Sequence, residues 1–203
     1  MTGSSSENKS ELHPLVEKFT SDLFSDIRRF QIDPWAFYKT HGVRVRYFNG
    51  KEIRLGGDSF DGSTREVFWG RYIEPFLEDA ILKTFEFVTR MCCDANLQPH
   101  VYFDEADSLL KVESKSIFGE MVGRDAGLRK GLPRQDGSYY DATQKISAIH
   151  DFIDKTKAAY VALAKRRIKS RLRRIYDDNQ LILWVISTAI AGFALLHTLF
   201  LSK

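Results

Sequence analysis

The residues best suited to chemistry are carboxylates gathered near one lysine. Asp104, Glu105 and Asp107 follow the apolar stretch 101–103, and Glu113 and Lys115 come shortly after. Two carboxylates can hold a divalent cation, and a lysine beside them can position the water that attacks a phosphodiester. The other reactive side chains form no such pattern. His13, His41, His100, His150 and His197 are scattered with no i, i+4 pair, which gives no support for zinc. Cys92 and Cys93 are adjacent, so on a helix they point apart and read as core residues in a reducing compartment. No G-x-S-x-G elbow is present. On these residues the sequence assigns no catalytic residue, no metal ligand and no cofactor.

Asp104-Glu105-Ala106-Asp107 resembles the metal-binding motif of DEAD-box helicases, which would imply magnesium and water handled at a strand end. No GxxxxGK[ST] loop stands upstream to hold phosphates, and the four residues read as a turn. Asp104 with Glu113-x-Lys115 resembles the core of PD-(D/E)xK nucleases, at a shorter spacing; that resemblance implies a metal-dependent hydrolase. Neither extends to a family assignment.

Charge argues against nucleic acid as a partner. The chain has net charge +3, but residues 165–174 hold seven Lys or Arg. Residues 1–164 carry 22 basic and 25 acidic side chains, leaving the part expected to fold near neutral.

The elements that must position these groups can be read from periodicity. Residues 1–10 are polar and expected to be disordered. An α+β domain, mainly helical, is expected over 11–140. Leu15, Val16, Phe19, Leu23, Phe24, Ile27 and Phe30 recur at helical spacing. Asp33-Pro34 opens a short helix that Gly42 closes. Val43, Val45 and Tyr47 alternate with Arg44, Arg46 and Phe48 before Asn49-Gly50, which predicts a β-hairpin with a type I′ turn. A helix is predicted over 65–94 with Pro75 as a break or new first turn. The segment 100–104 reads as a short strand, 108–114 as a strand or helix, and the glycine-rich 119–137 as a loop. The aromatics from Trp35 to Tyr72 are expected to build the core, with a minority lining a pocket or partner surface.

From 141 to 178 a long basic amphipathic helix is predicted, running into a single transmembrane helix at Leu181–Leu201 within the segment 179–203. Lys165, Arg166, Arg167, Lys169, Arg171, Arg173, Arg174 and Trp184 would lie at the membrane interface against anionic lipids, and the charge asymmetry would leave the N-terminal domain in the cytoplasm. Ser187, Thr188, Ala191 and Gly192 place small side chains on one face, where two such helices could associate. The function expected is that of a tail-anchored, single-pass membrane protein whose cytosolic domain is a non-catalytic interaction or sensing module, with a protein partner or self-association. The alternatives are a membrane-perturbing effector that oligomerises through this helix, and an anchored metal-dependent hydrolase.

Overall fold

The computed structural model describes residues 13–57, 60, 62–95, 97–130, 141–180, 182 and 184–188, with the backbone alone over 169–178. Helix α1 (His13–Ile27) buries His13, Val16, Thr20, Phe24 and Ile27, one stripe at spacings of three and four. Leu15 and Phe30 share its period but stay exposed. The helix then widens into a π-helical turn over Arg28–Ile32, which carries Gln31 and Ile32 inside, and tightens into a 3-10 turn over Asp33–Phe37 with Pro34 as its second residue. Helix α2 (Tyr38–His41) ends at Gly42, whose φ of 72° is open to glycine at little cost.

Strands β1 (Val43–Arg46) and β2 (Glu52–Leu55) form an antiparallel pair. Helix α3 (Gly62–Trp69) stops at a turn, and α4 (Glu74–Ala95) restarts with Pro75 in its first turn, where the missing N–H is harmless. Helix α5 (Pro99–Arg129) follows, then α6 (Thr143–Asp178).

Helix α4 packs against α1, α5 and α6, and α5 against α1 and α6, so the four long helices share one core. Ile149, Ile153 and Ala164 bring the first half of α6 into it. The same core continues under the hairpin, where Trp35 is ringed by Tyr38, Phe60, Phe68 and Tyr72. Its Nε1 donates to Tyr72 Oη at 3.0 Å, and Tyr72 donates to the Gln31 carbonyl at 2.7 Å. Both polar edges are thus satisfied while the rings stay buried. Burial raises the Tyr72 phenol well above its ordinary pKa.

Several expectations are corrected. The segments read as strand and strand-or-helix after Pro99 are one helix, with Phe103, Ala106, Leu110, Ser114, Ile117, Phe118 and Met121 buried at helical spacing. A short apolar run such as 101–103 is too brief to reveal its period, and Pro99 sits where it starts a helix. The glycine-rich stretch is helical as far as Arg129, because Ile117, Phe118, Met121 and Leu128 anchor it to the core while Gly119, Gly123 and Gly127 fall on the outside. Residues 131–137 of that stretch, and 1–10, lie outside the described residues.

The transmembrane helix is also corrected. Among the described residues no helix is long and apolar enough to cross a membrane. Crossing takes about 20 consecutive apolar residues. The long helix α6 ends at Asp178 and is punctuated throughout by charge. Of Leu181–Leu201, only Ile182 and Trp184–Thr188 are among the described residues. The tail-anchored, single-pass, membrane-bound placement, and the cytoplasmic orientation derived from it, therefore have no support in the fold. Mainly helical with one small two-stranded sheet is the architecture.

Candidate docking surface on the hairpin

Asp104, Glu113 and Lys115 do not converge. Nine residues along a helix amount to half a turn round it and an advance of roughly 13 Å, so Asp104 and Glu113 face opposite ways. Asp104 meets Lys157 of α6 at 2.6 Å, while Glu113 accepts from Arg28 at 2.7 Å. Arg28 also donates to Glu120 at 2.7 Å; burial opposes its charge, but the bonds to Glu120 and Glu113 outweigh that and hold its pKa above the ordinary value. Lys111 bridges Asp107 and Asp154, and Lys157 reaches Asp107 as well. These carboxylates tie helices together. Among the described residues no group of three His, Cys, Asp or Glu could hold a metal ion.

The remaining reactive residues are equally dispersed. Cys92 is buried in α4, and that burial, with Cys93 beside it, pushes its thiol up to about 11. His13 is buried between Glu17 and Glu105, at 3.5 and 3.7 Å. His41 is exposed on α2, His100 is exposed at the start of α5, and His150 is within 3.4 Å of the Lys111 carbonyl. His197 lies outside the described residues.

Lys165, Arg166 and Arg167 are exposed on α6; the side chains of Lys169, Arg171, Arg173 and Arg174 lie outside the described set. Trp184 is exposed, and Thr188 donates to its carbonyl at 2.8 Å. Ser187 is exposed, and Ala191 and Gly192 fall outside the described residues.

The hairpin holds a different arrangement. Tyr47 N donates to Lys51 O at 2.8 Å and Gly50 N to Tyr47 O at 2.9 Å. The loop therefore has three residues, Phe48 to Gly50, with Gly50 at φ 82°, a type I turn closed by a glycine bulge in place of the expected two-residue type I′ turn. Asn49 Oδ1 takes the Lys51 N–H at 3.0 Å, which stabilises that alternative.

Register then fixes the faces. Val43 pairs with Leu55, Arg44 with Arg54, Val45 with Ile53 and Arg46 with Glu52. Val43 and Val45 are buried, so Arg44, Arg46, Arg54 and Glu52 point outward. Counting out from the Tyr47–Lys51 bond, Arg44 and Arg54 occupy a pair without mutual backbone hydrogen bonds, where Cα atoms come within about 4.5 Å. Two guanidinium groups directly opposite at that spacing repel. Glu52 relieves little of this, standing 3.9 Å from Arg44 and 4.0 Å from Arg46, with those arginines 73% and 68% exposed. Among the described residues, Arg54 donates to the His41 carbonyl, at 3.4 Å.

Exposed aromatics border the arginines. Phe48, at the tip, is 53% exposed and touches Phe76 edge-on. Phe37, 59% exposed, lies against His41, which contacts Arg54 in turn.

No family model, curated protein or solved structure matches this chain. Function must therefore be argued from the surface itself.

The sequence contained the signal for it. Arg44 and Arg46 already occupy the polar phase of the alternation that predicts β1; what it could not give is the register that sets Arg54 opposite Arg44. Away from the hairpin face, an open groove of about 490 Å³ runs between Ala36 and Lys39 on one side and Gly123, Arg124 and Gly127 of α5 on the other. Its arginine is engaged with Asp33 at 3.7 Å.

Proposed function

We propose that this protein is a non-catalytic interaction module that docks an anionic partner on the outward face of its hairpin. The observation carrying the proposal is the in-register opposition of Arg44 and Arg54, with Arg46 beside them on the same face. A solvent-exposed two-stranded sheet gains nothing for its own stability from such a pair, and Lys or Glu in alternating signs would protect its edges as well. An arriving anion reverses the sign of the interaction, since two guanidinium groups share it through charge-assisted hydrogen bonds. Phe48 and Phe37 add rigid apolar area at the border, the composition that protein interfaces favour.

The rest of the fold supports the reading by seating the hairpin on the core. Val43 and Val45 belong to the same buried core as Trp35, so the arginines project from the opposite face. The elongated charge networks of Asp104, Asp107 and Glu113 join helix to helix and leave those carboxylates already committed.

The test is photo-crosslinking in the cells that make the protein. Full-length chain would carry a benzophenone amino acid at Phe48, or at Leu82 on α4 as a control. A discrete adduct from position 48, absent from position 82 and lost when Arg44 and Arg46 are changed to Glu, is expected. No adduct from position 48, or one indifferent to those charges, would overturn the proposal.

A further inference from the structure

We infer that the partner segment is an extended polypeptide that adds a strand to the open edge of β2 and sets a carboxylate beside Arg54. This inference rests on the docking reading above and names its occupant. Among the described residues β2 pairs with β1 alone. In an antiparallel pair, residues at positions without mutual hydrogen bonds aim their N–H and C=O groups away from the partner strand. On β2 those residues are Glu52 and Arg54, so the open edge offers backbone donors and acceptors at the two positions whose side chains face outward. An incoming strand can use both at once, with backbone hydrogen bonds giving affinity and alternate side chains giving specificity.

The side chains along β2 define what that strand must carry. Beside Arg54, with Arg44 on the far side, it meets two positive charges, and Asp or Glu fits. Two residues along it meets Glu52, where a third acid would be repelled and a neutral or basic residue fits. Between and beyond these it meets Ile53 and Leu55, half-buried on the inner face, where apolar side chains extend the core. The complementary pattern is apolar, acidic, apolar, then neutral or basic, over four residues, the length of β2.

The same observations disfavour a phosphate backbone. Nucleic-acid sites draw affinity from neutralising about 6–10 phosphates. Three arginines on strands of four residues, spanning roughly 10 Å, supply too few cations, and Glu52 stands among them. A phosphodiester could accept from the N–H groups of an open strand edge but has no donor for its C=O groups.

Fluorescence anisotropy with the full-length protein tests the assignment. The probes are a labelled eight-residue peptide with a single central Val-Glu-Val-Lys, the same peptide with Gln for Glu, a version N-methylated along the edge-facing backbone, oligothymidylate, and vesicles of phosphatidylserine in phosphatidylcholine. The Glu peptide should bind saturably. Binding should weaken about tenfold on Glu→Gln in the peptide or Arg54→Gln in the protein, and disappear on N-methylation. Equal binding of the Gln or N-methylated peptide, preference for the oligonucleotide or the vesicles, or no saturable binding of the Glu peptide would each overturn the inference. If the Phe48 adduct still forms in that event, docking on the hairpin stands and only this occupant is wrong; if it does not, both fail.

Discussion

Arg65 grips Asp125 through two parallel hydrogen bonds, Nε to Oδ1 at 2.8 Å and Nη2 to Oδ2 at 3.1 Å, and so ties α3 to the far end of α5. Trp69 Nε1 donates to the same Oδ1 at 3.1 Å, so the carboxylate is held three ways in a nearly dry setting. The geometry is the bidentate fork that makes Arg–carboxylate pairs both strong and directional. It also fixes α3, whose Phe68 packs on Trp35 beneath the hairpin.

Removing one partner of a buried pair leaves the other charge uncompensated. Asp125→Ala should therefore lower unfolding stability by about 3 kcal/mol, read as a drop in the urea midpoint. Replacing Arg65 and Asp125 together with Met and Leu should recover most of that loss, because the burial penalty of both charges goes too. A double variant no more stable than Asp125→Ala would mean that the fork itself specifies the packing of α3.

Gly42 separates α2 from β1, and a Cβ there would stand 2.6 Å from the Leu55 carbonyl oxygen, a backbone atom with no room to yield. Its φ of 72° adds strain for any other residue. Gly42→Ala should cost about 2 kcal/mol or more in thermal unfolding. Gly123→Ala should act the other way. Among the described residues nothing outside the helix's own turn lies within 4 Å of a Cβ at that position in α5, and glycine in a helix interior costs about 0.5–1 kcal/mol relative to alanine. A loss of stability at Gly123 would mean that something packs on that face.

Asp154 accepts from Lys111 at 2.6 Å, a bond that holds its carboxyl below the ordinary Asp range. A depressed carboxylate pKa gives stability that is full above the unfolded-state value of about 4 and is lost as pH falls through the folded-state value. Lys111 is shifted upward: burial opposes its charge, but the hydrogen bonds it donates to Asp154 and Asp107 outweigh that, so its share is lost only at alkaline pH. Asp154 is 58% exposed, and screening keeps the pair under about 1 kcal/mol. Asp154→Asn should thus lie slightly below the unaltered protein in stability at pH 7, and the two should converge as pH falls through the depressed folded-state value. Chemical unfolding at pH 7 and down the acid range measures the difference, and a constant offset would contradict the pairing.

How far the sequence carried varies by element, for physical reasons. Helix α1 was legible because its stripe persists through four turns, and the hairpin because Asn49-Gly50 stands between alternating runs. Pro75 marked the start of α4 for the same reason that it interrupts a longer helix. Helix α5 was not legible. Gly119, Gly123 and Gly127 are poor helix formers, and what overrides them is the burial of Ile117, Phe118, Met121 and Leu128 against elements far away in sequence. The carboxylates of α5 misled because proximity in sequence is not proximity on a helix. Arg44 and Arg46 were visible as a polar phase, but their meaning depends on Arg54, and that relation exists only once the strands are in register.

The most direct test of the central claim is Arg54→Glu, measured for stability and for docking in the same protein. The substitution turns a repulsive cross-strand pair with Arg44 into an attractive one, so if the arginines are kept for a partner, thermal stability should rise by up to about 1 kcal/mol while the Phe48 adduct disappears. Lower stability, or an adduct that survives, would contradict the account: the first because Arg54 would then be serving the fold, the second because the partner would not be reading its charge.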